Sequence, residues 1–187
     1  MKNRNTIIKL NRMNDLLLPA AIRQFEQYKQ LAERTFSQLT DDQLFLAVNA
    51  ETNSIAVIVK HMWGNMRSRW TDFLTSDGEK EWRERDAEFE NDLQTRDAIL
   101  QKWEEGWFCL FNTLKSLYSQ DLEKTVTIRS QPLTVTDAIL RQLTHYAYHV
   151  GQIVYIGKML AADNWKSLSI PRGGSAAYLA AMQKEPK

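Results

Sequence analysis

Leu143-Thr-His-Tyr-Ala-Tyr-His-Val-Gly-Gln-Ile-Val154 sets two histidines four residues apart in an apolar stretch of helical period. On an α-helix, residues i and i+4 share a face with Cβ atoms about 5–6 Å apart, so His145 and His149 can reach one metal ion. The chain has one further histidine, His61, in Val57-Ile-Val-Lys-His-Met-Trp-Gly-Asn65, which also reads as helix. Three imidazoles and an open fourth position would make a metal site of catalytic rather than structural type. The competing reading is a pair of packed core imidazoles with satisfied nitrogens. His61 shifts that balance, because all three histidines then fall on or beside the buried faces of two long helices.

The flanking sequence extends this reading to an all-α chain. Thr134-Val-Thr-Asp137 resembles a capping box, and the helix it opens runs to about Leu160 or Ala162. Its buried stripe is Ile139, Leu143, Tyr146, Val150, Ile153 and Leu160. Upstream, Thr125-Val-Thr-Ile-Arg129 before Gln131-Pro132 predicts a short extended segment or small hairpin. A helix from about Thr95 carries Ile99, Trp103, Trp107, Leu110, Leu114 and Leu117 at helical spacing.

The helix bearing His61 starts at Asn53 or Ser54 and buries Ile55, Ile58, Met62, Met66 and Phe73. Lys60, Arg67 and Asp72 lie on its charged side, and Gly64 suggests close approach of another backbone. The first long helix begins near Leu18, with Pro19 in its first turn, and presents Phe25, Tyr28, Ala32, Phe36 and Leu39. Thr40-Asp-Asp-Gln43 then matches a capping box for a short turn through Leu46. A polar arm precedes Leu18, and a long charged stretch from about Thr75 to Asp92 links the second and third long helices as a solvated crossover pinned by Trp82 and Phe89. After Asp163 an ordered extension carries Trp165, Leu168 and Ile170, and Ser175 to Met182 can form a last short helix.

Composition bounds the function. The 187 residues are expected to form one domain, 1–187, and formal net charge is +1, so no global field favours nucleic acid or an anionic membrane. No apolar stretch reaches the length of a spanning helix, and charged and polar residues interrupt any signal-like N-terminal segment. With the single Cys109 unable to form an internal disulfide, a cytoplasmic protein is expected. Cys109, between aromatic neighbours, suits a small buried hydrophobe.

No acidic residue lies within a turn of the histidine pair on its face, so neither His-Glu-x-x-His nor Glu-x-x-His is present. No general base is visible. Tyr146, Tyr148, Asn65 and Gln152 could orient a ligand or simply pack. Trp63 can line a pocket or meet a partner chain, and Arg83 and Arg85 are candidate anion contacts within a stretch that otherwise reads as a solvated face.

Four amphipathic helices, His61 followed by Met62-Trp63, and the His-x-x-x-His within Leu140-Arg-Gln-Leu-Thr-His-Tyr-Ala-Tyr-His-Val-Gly-Gln-Ile153 resemble the DinB/YfiT-like superfamily of metalloenzymes. The tail Trp165-Lys-Ser-Leu-Ser-Ile-Pro-Arg-Gly resembles one bacterial branch of it, and the likeness runs from about residue 18 to 175. The resemblance implies an antiparallel four-helix bundle with a long connection between helices two and three. It further implies a divalent metal, zinc or nickel first, held by His61, His145 and His149 at one end, and frequently a homodimer. Some members use a low-molecular-weight thiol as co-substrate. The expectation is a metal-dependent enzyme that activates a small thiol or water towards a small-molecule substrate, with catalytic residues unassigned. The alternative is a non-enzymatic metal-binding or dimeric interaction module.

Overall fold

The computed structural model describes the backbone of residues 2–184 and the side chains of residues 15–184. The chain is mostly helical. Among the described residues six α-helices, α1 (Lys2–Phe36), α2 (Asp41–Phe45), α3 (Ile55–Trp70), α4 (Arg96–Ser116), α5 (Val135–Ala161) and α6 (Ser175–Lys184), are accompanied by strands β1 (Thr125–Ile128) and β2 (Gln131–Thr134). The long helices pack α3 on α4 and α1 on α5, and both α3 with α5 and α1 with α4 also touch.

Local sequence sets most boundaries as expected. The Ser54 hydroxyl accepts the Val57 N–H at 3.3 Å, Thr95 accepts that of Ala98 at 3.2 Å, and Thr134 accepts that of Asp137 at 3.0 Å. Each cap satisfies an N–H that the first helical turn leaves free. The Thr40–Gln43 pair opens α2, with the Thr40 N–H donating to Gln43 Oε1 at 2.9 Å. The 125–134 segment is an antiparallel hairpin with Ile128 opposite Gln131, and Arg129 and Ser130 take positive φ at its two-residue turn.

Two boundaries differ most from expectation, beyond α1 ending at Phe36 short of Leu39 and α4 at Ser116 short of Leu117. In place of a polar arm, α1 extends back to Lys2 and encloses Pro19; the side chains of residues 1–14 lie outside the described set. A proline inside a helix costs about 3 kcal/mol through its missing hydrogen bond and ring clash. Burial of Leu18, Ala21 and Phe25 on the same helix offsets that penalty. At its other end, α3 stops at Trp70, and Asp72 adopts φ 49°, so Phe73 joins the core from the following turn.

An aromatic cluster knits the helices together. Phe25 of α1 meets Trp70 of α3, Trp107 of α4 and Tyr146 of α5 with ring centroids 6.3, 6.3 and 5.8 Å away. Such tilted and edge-on pairs add about 0.5–1.5 kcal/mol each beyond area burial. The tail after α5 is ordered against the helices, since Lys166 exchanges backbone bonds with the Gln38 amide, whereas α6 has no buried residue. Among the described residues no helix is long and apolar enough to cross a membrane.

Candidate metal centre

His61 sits mid-way along α3 and His145 and His149 one turn apart on α5, so the α3–α5 contact brings the three rings together. One nitrogen from each lies within 4.8 Å of the others. Ring centroids are 4.6 Å apart for His145 and His149, 4.8 Å for His61 and His149, and 5.5 Å for His61 and His145. Nε2 of His145 faces Nε2 of His149 at 3.0 Å. Two nitrogens about 2.0–2.1 Å from one ion, at angles between square and tetrahedral, would sit about 2.9–3.4 Å apart, so this pair already has a chelating separation.

The outer nitrogens are held. Nδ1 of His149 donates to Gln152 Oε1 at 2.9 Å, and Nδ1 of His61 donates to Glu88 Oε2 at 2.9 Å. Each bond fixes the tautomer that leaves Nε2 with a lone pair, the usual support for a metal-ligating histidine. Burial, followed by repulsion from His149, His61, Arg69 and Arg83, pushes His145 down to about 3. Burial and then His61 push His149 down to about 4, against the bond to Gln152. Both rings are therefore neutral near pH 7, the form that binds metal.

Glu88 is the residue that sequence reasoning missed. It lies on the short 3-10 turn Asp86–Phe89 inside the segment expected to be a solvated crossover, and it is only 4% exposed. Arg83 clamps it, Nε to Oε1 at 2.7 Å and Nη2 to Oε2 at 2.9 Å. Desolvation works to raise the Glu88 carboxyl, but the bonds from His61 and Arg83 prevail and hold it below the usual carboxylate range. The anion completes a carboxylate–histidine pair behind the site.

The segment is thus pinned by Arg83 and Glu88, while Trp82 and Phe89 are exposed, with Phe89 stacked on His61 at 4.9 Å. It also covers Lys60, assigned from sequence to the charged side: that amine is buried and pairs with Asp92 at 2.5 Å. Gly64 makes room for a side chain rather than a backbone, since a Cβ there would meet Glu88 Oε1 at 2.1 Å. A glycine one turn from a histidine on a buried face was the sole sequence clue to this packing.

Of the other candidates, Gln152 supports His149, and Asn65 accepts from Tyr146 at 3.0 Å. Cys109 is half-buried beside the Thr71 hydroxyl, away from the histidines. A cavity of about 400 Å³ opens against His61 and His145, lined also by Asn65, Gln142, Thr144 and Tyr148.

A helical protein with three convergent histidines, two of them lining a cavity, defines the class at the level of architecture and donor set. The family model described as "Protein of unknown function (DUF1572)" matches residues 13–174, and the chain belongs to this family. The family falls within the DinB-like clan. No curated protein matches the chain.

Proposed function

We propose that this chain is a metal-dependent enzyme built on a DinB-like antiparallel four-helix bundle of α1, α3, α4 and α5, with His61, His145 and His149 holding one divalent ion, zinc or nickel first. The observation that carries the proposal is the convergence of three imidazoles from two helices, two with Nδ1 tied to an acceptor, beside a cavity that reaches His61 and His145. Nε2 of His149 meets Nε2 of His145 at 3.0 Å, a contact that one proton can bridge in a packed pair and that a shared ion would replace, so metal content separates the two readings. The chemistry an ion supplies with such ligands is Lewis acidity, which lowers the pKa of a thiol or water.

The chain's own residues orient and insulate the centre. Glu88 keeps the His61 proton on Nδ1, and Gln152 keeps that of His149 on Nδ1. Arg83 balances the Glu88 charge, so Glu88 is committed to His61 and not placed as a free general base. The absence of an acidic residue among the described residues lining the cavity favours transfer of a small thiol to an electrophilic molecule over hydrolysis.

The test begins with elemental analysis of tag-free protein. Metal-loaded protein is then incubated with bacillithiol, mycothiol, glutathione or cysteine and a model electrophile, beside His145→Ala. Rates above the variant's with at least one thiol are expected. Rates no higher for every thiol, with metal bound, would discard thiol transfer and favour a metal-binding module without turnover. Exposed Phe108 and Tyr155 fit the further proposal of a homodimer; light scattering at the mass of one 21.8 kDa chain across concentrations would remove it.

A further inference from the structure

The cavity beside the histidines is lined by five arginines from separate parts of the chain: Arg69 on α3, Arg83 and Arg85 in the crossover, Arg129 at the hairpin turn and Arg141 on α5. Among the described residues no carboxylate lines it. Three of the five are engaged. Arg69 donates to the Gly78 carbonyl and to Glu79 at 3.1 Å, Arg83 to Glu88 and Glu79, and Arg129 to Glu79 at 2.8 Å. Glu79 is shared by all three, and Asp77 is occupied by the backbone N–H groups of Glu79, Arg129 and Ser130. Even with Asp77 counted, three carboxylates face five guanidiniums, and Arg85 and Arg141 have no ion-pair or hydrogen-bond partner for their side chains among the described residues.

Neutral donors point the same way. The Trp70 indole N–H donates to Tyr146 Oη at 3.1 Å, so the Tyr146 proton goes to Asn65 Oδ1 at 3.0 Å. With its oxygen taken, the buried Asn65 amide presents Nδ2 as a donor at the cavity wall. Gln142 is 3% exposed, lines the same cavity, and has an Oε1 with no hydrogen-bond partner. The two ends of this amide are interchangeable by a flip, and turned over it presents Nε2 as a donor that an anion would satisfy, relieving the cost of the unmet group.

We propose that this cavity binds the carboxylate or phosphate of a small-molecule substrate, with Arg85 and Arg141 as the free cations and Asn65 and Gln142 as the fixed polar contacts. Guanidinium forks match the two oxygens of either group, and a concave surface with cations in excess raises the local concentration of anions. A volume of about 400 Å³ suits a small molecule. The inference names the substrate class of the proposed centre and rests on that reading only for placing the anion beside a metal.

The test is calorimetric titration of the tag-free, full-length protein, metal-loaded and after chelation, with inorganic phosphate and separately with succinate at constant ionic strength. The same titrations use Arg85→Gln/Arg141→Gln, whose exposed positions spare the core, with circular dichroism to verify the fold and elemental analysis to verify metal content. Saturable binding of at least one anion is expected, weakened about tenfold or more in the double variant at unchanged metal content. The stronger of the two probes identifies phosphate or carboxylate. No saturable binding, or equal binding by the folded variant, would overturn the proposal even if metal is stoichiometric. Arginine-dependent binding by protein that takes up no metal would uphold the anion site and sink the metal reading alone.

Discussion

Replacing Gly64 with Ala should destabilise the protein, although the same change inside an isolated helix stabilises it by about 1 kcal/mol. The new Cβ would stand 2.1 Å from Glu88 Oε1, 2.7 Å from Cδ and 3.1 Å from Cγ. A glutamate at the surface would swing away at little cost. Glu88 is 4% exposed and held by His61 at 2.9 Å and by Arg83 at 2.7 and 2.9 Å, so moving its carboxylate an ångström or more stretches all three bonds at once. Breaking a buried ion pair costs about 3–5 kcal/mol, which leaves a net loss of about 2–4 kcal/mol once the helix gain is subtracted. Urea denaturation of the chelated protein would read the loss as a lower midpoint at unchanged slope. Metal affinity should also fall about 10–100-fold, because His61 loses the acceptor that orients it. In a Glu88→Ala background the clash is gone, and Gly64→Ala should reverse sign and add about 1 kcal/mol. A Gly64→Ala protein as stable as the parent, or the same destabilisation in both backgrounds, would refute the reasoning.

Three further outcomes are expected. Tag-free protein should carry about one divalent ion per chain, and Ala at His61, His145 or His149 should cut its affinity by orders of magnitude without loss of helical signal; stoichiometric metal in the triple variant would overturn the assignment. Asp77 should make stability acid-sensitive: partial desolvation raises its pKa, but N–H donors from Glu79, Ser130 and Arg129 prevail and bring it from 3.8 to about 2. Its folded value lies below its unfolded one, so its contribution, about 1–2 kcal/mol after solvent screening, is complete above pH 3.8 and lost as pH falls through about 2; a pH series of denaturation midpoints in which Asp77→Asn runs parallel to the parent across that window would contradict it. Finally, Gly157→Ala on α5 should cost about 1–3 kcal/mol by overpacking, since its Cβ would lie 2.2 Å from Thr35 Cγ2 in α1, where Thr35 is fully buried; thermal melts no lower than the parent's would show that the α1–α5 contact yields freely.

The start of α1 and the end of α3 were not legible in the residues alone, whereas the order of the long helices, the caps at Ser54, Thr95 and Thr134 and the histidine pair were. Those features depend on residues a few positions apart: hydroxyls at Ser54, Thr95 and Thr134, apolar residues recurring at three and four, and imidazoles at i and i+4. What surrounds the histidines came from packing between distant segments. Glu88 and Arg83 belong to a charge-rich stretch whose local pattern reads as solvated, and they are buried because Gly64 leaves a gap on α3, 24 residues before Glu88, that their ion pair fills. The five arginines at the cavity likewise span positions 69 to 141 and share no periodicity, so their common field exists only where packing brings α3, the crossover, the hairpin and α5 to one wall. Periodicity records which face of an element is buried; it carries no term for which distant charge that face will meet.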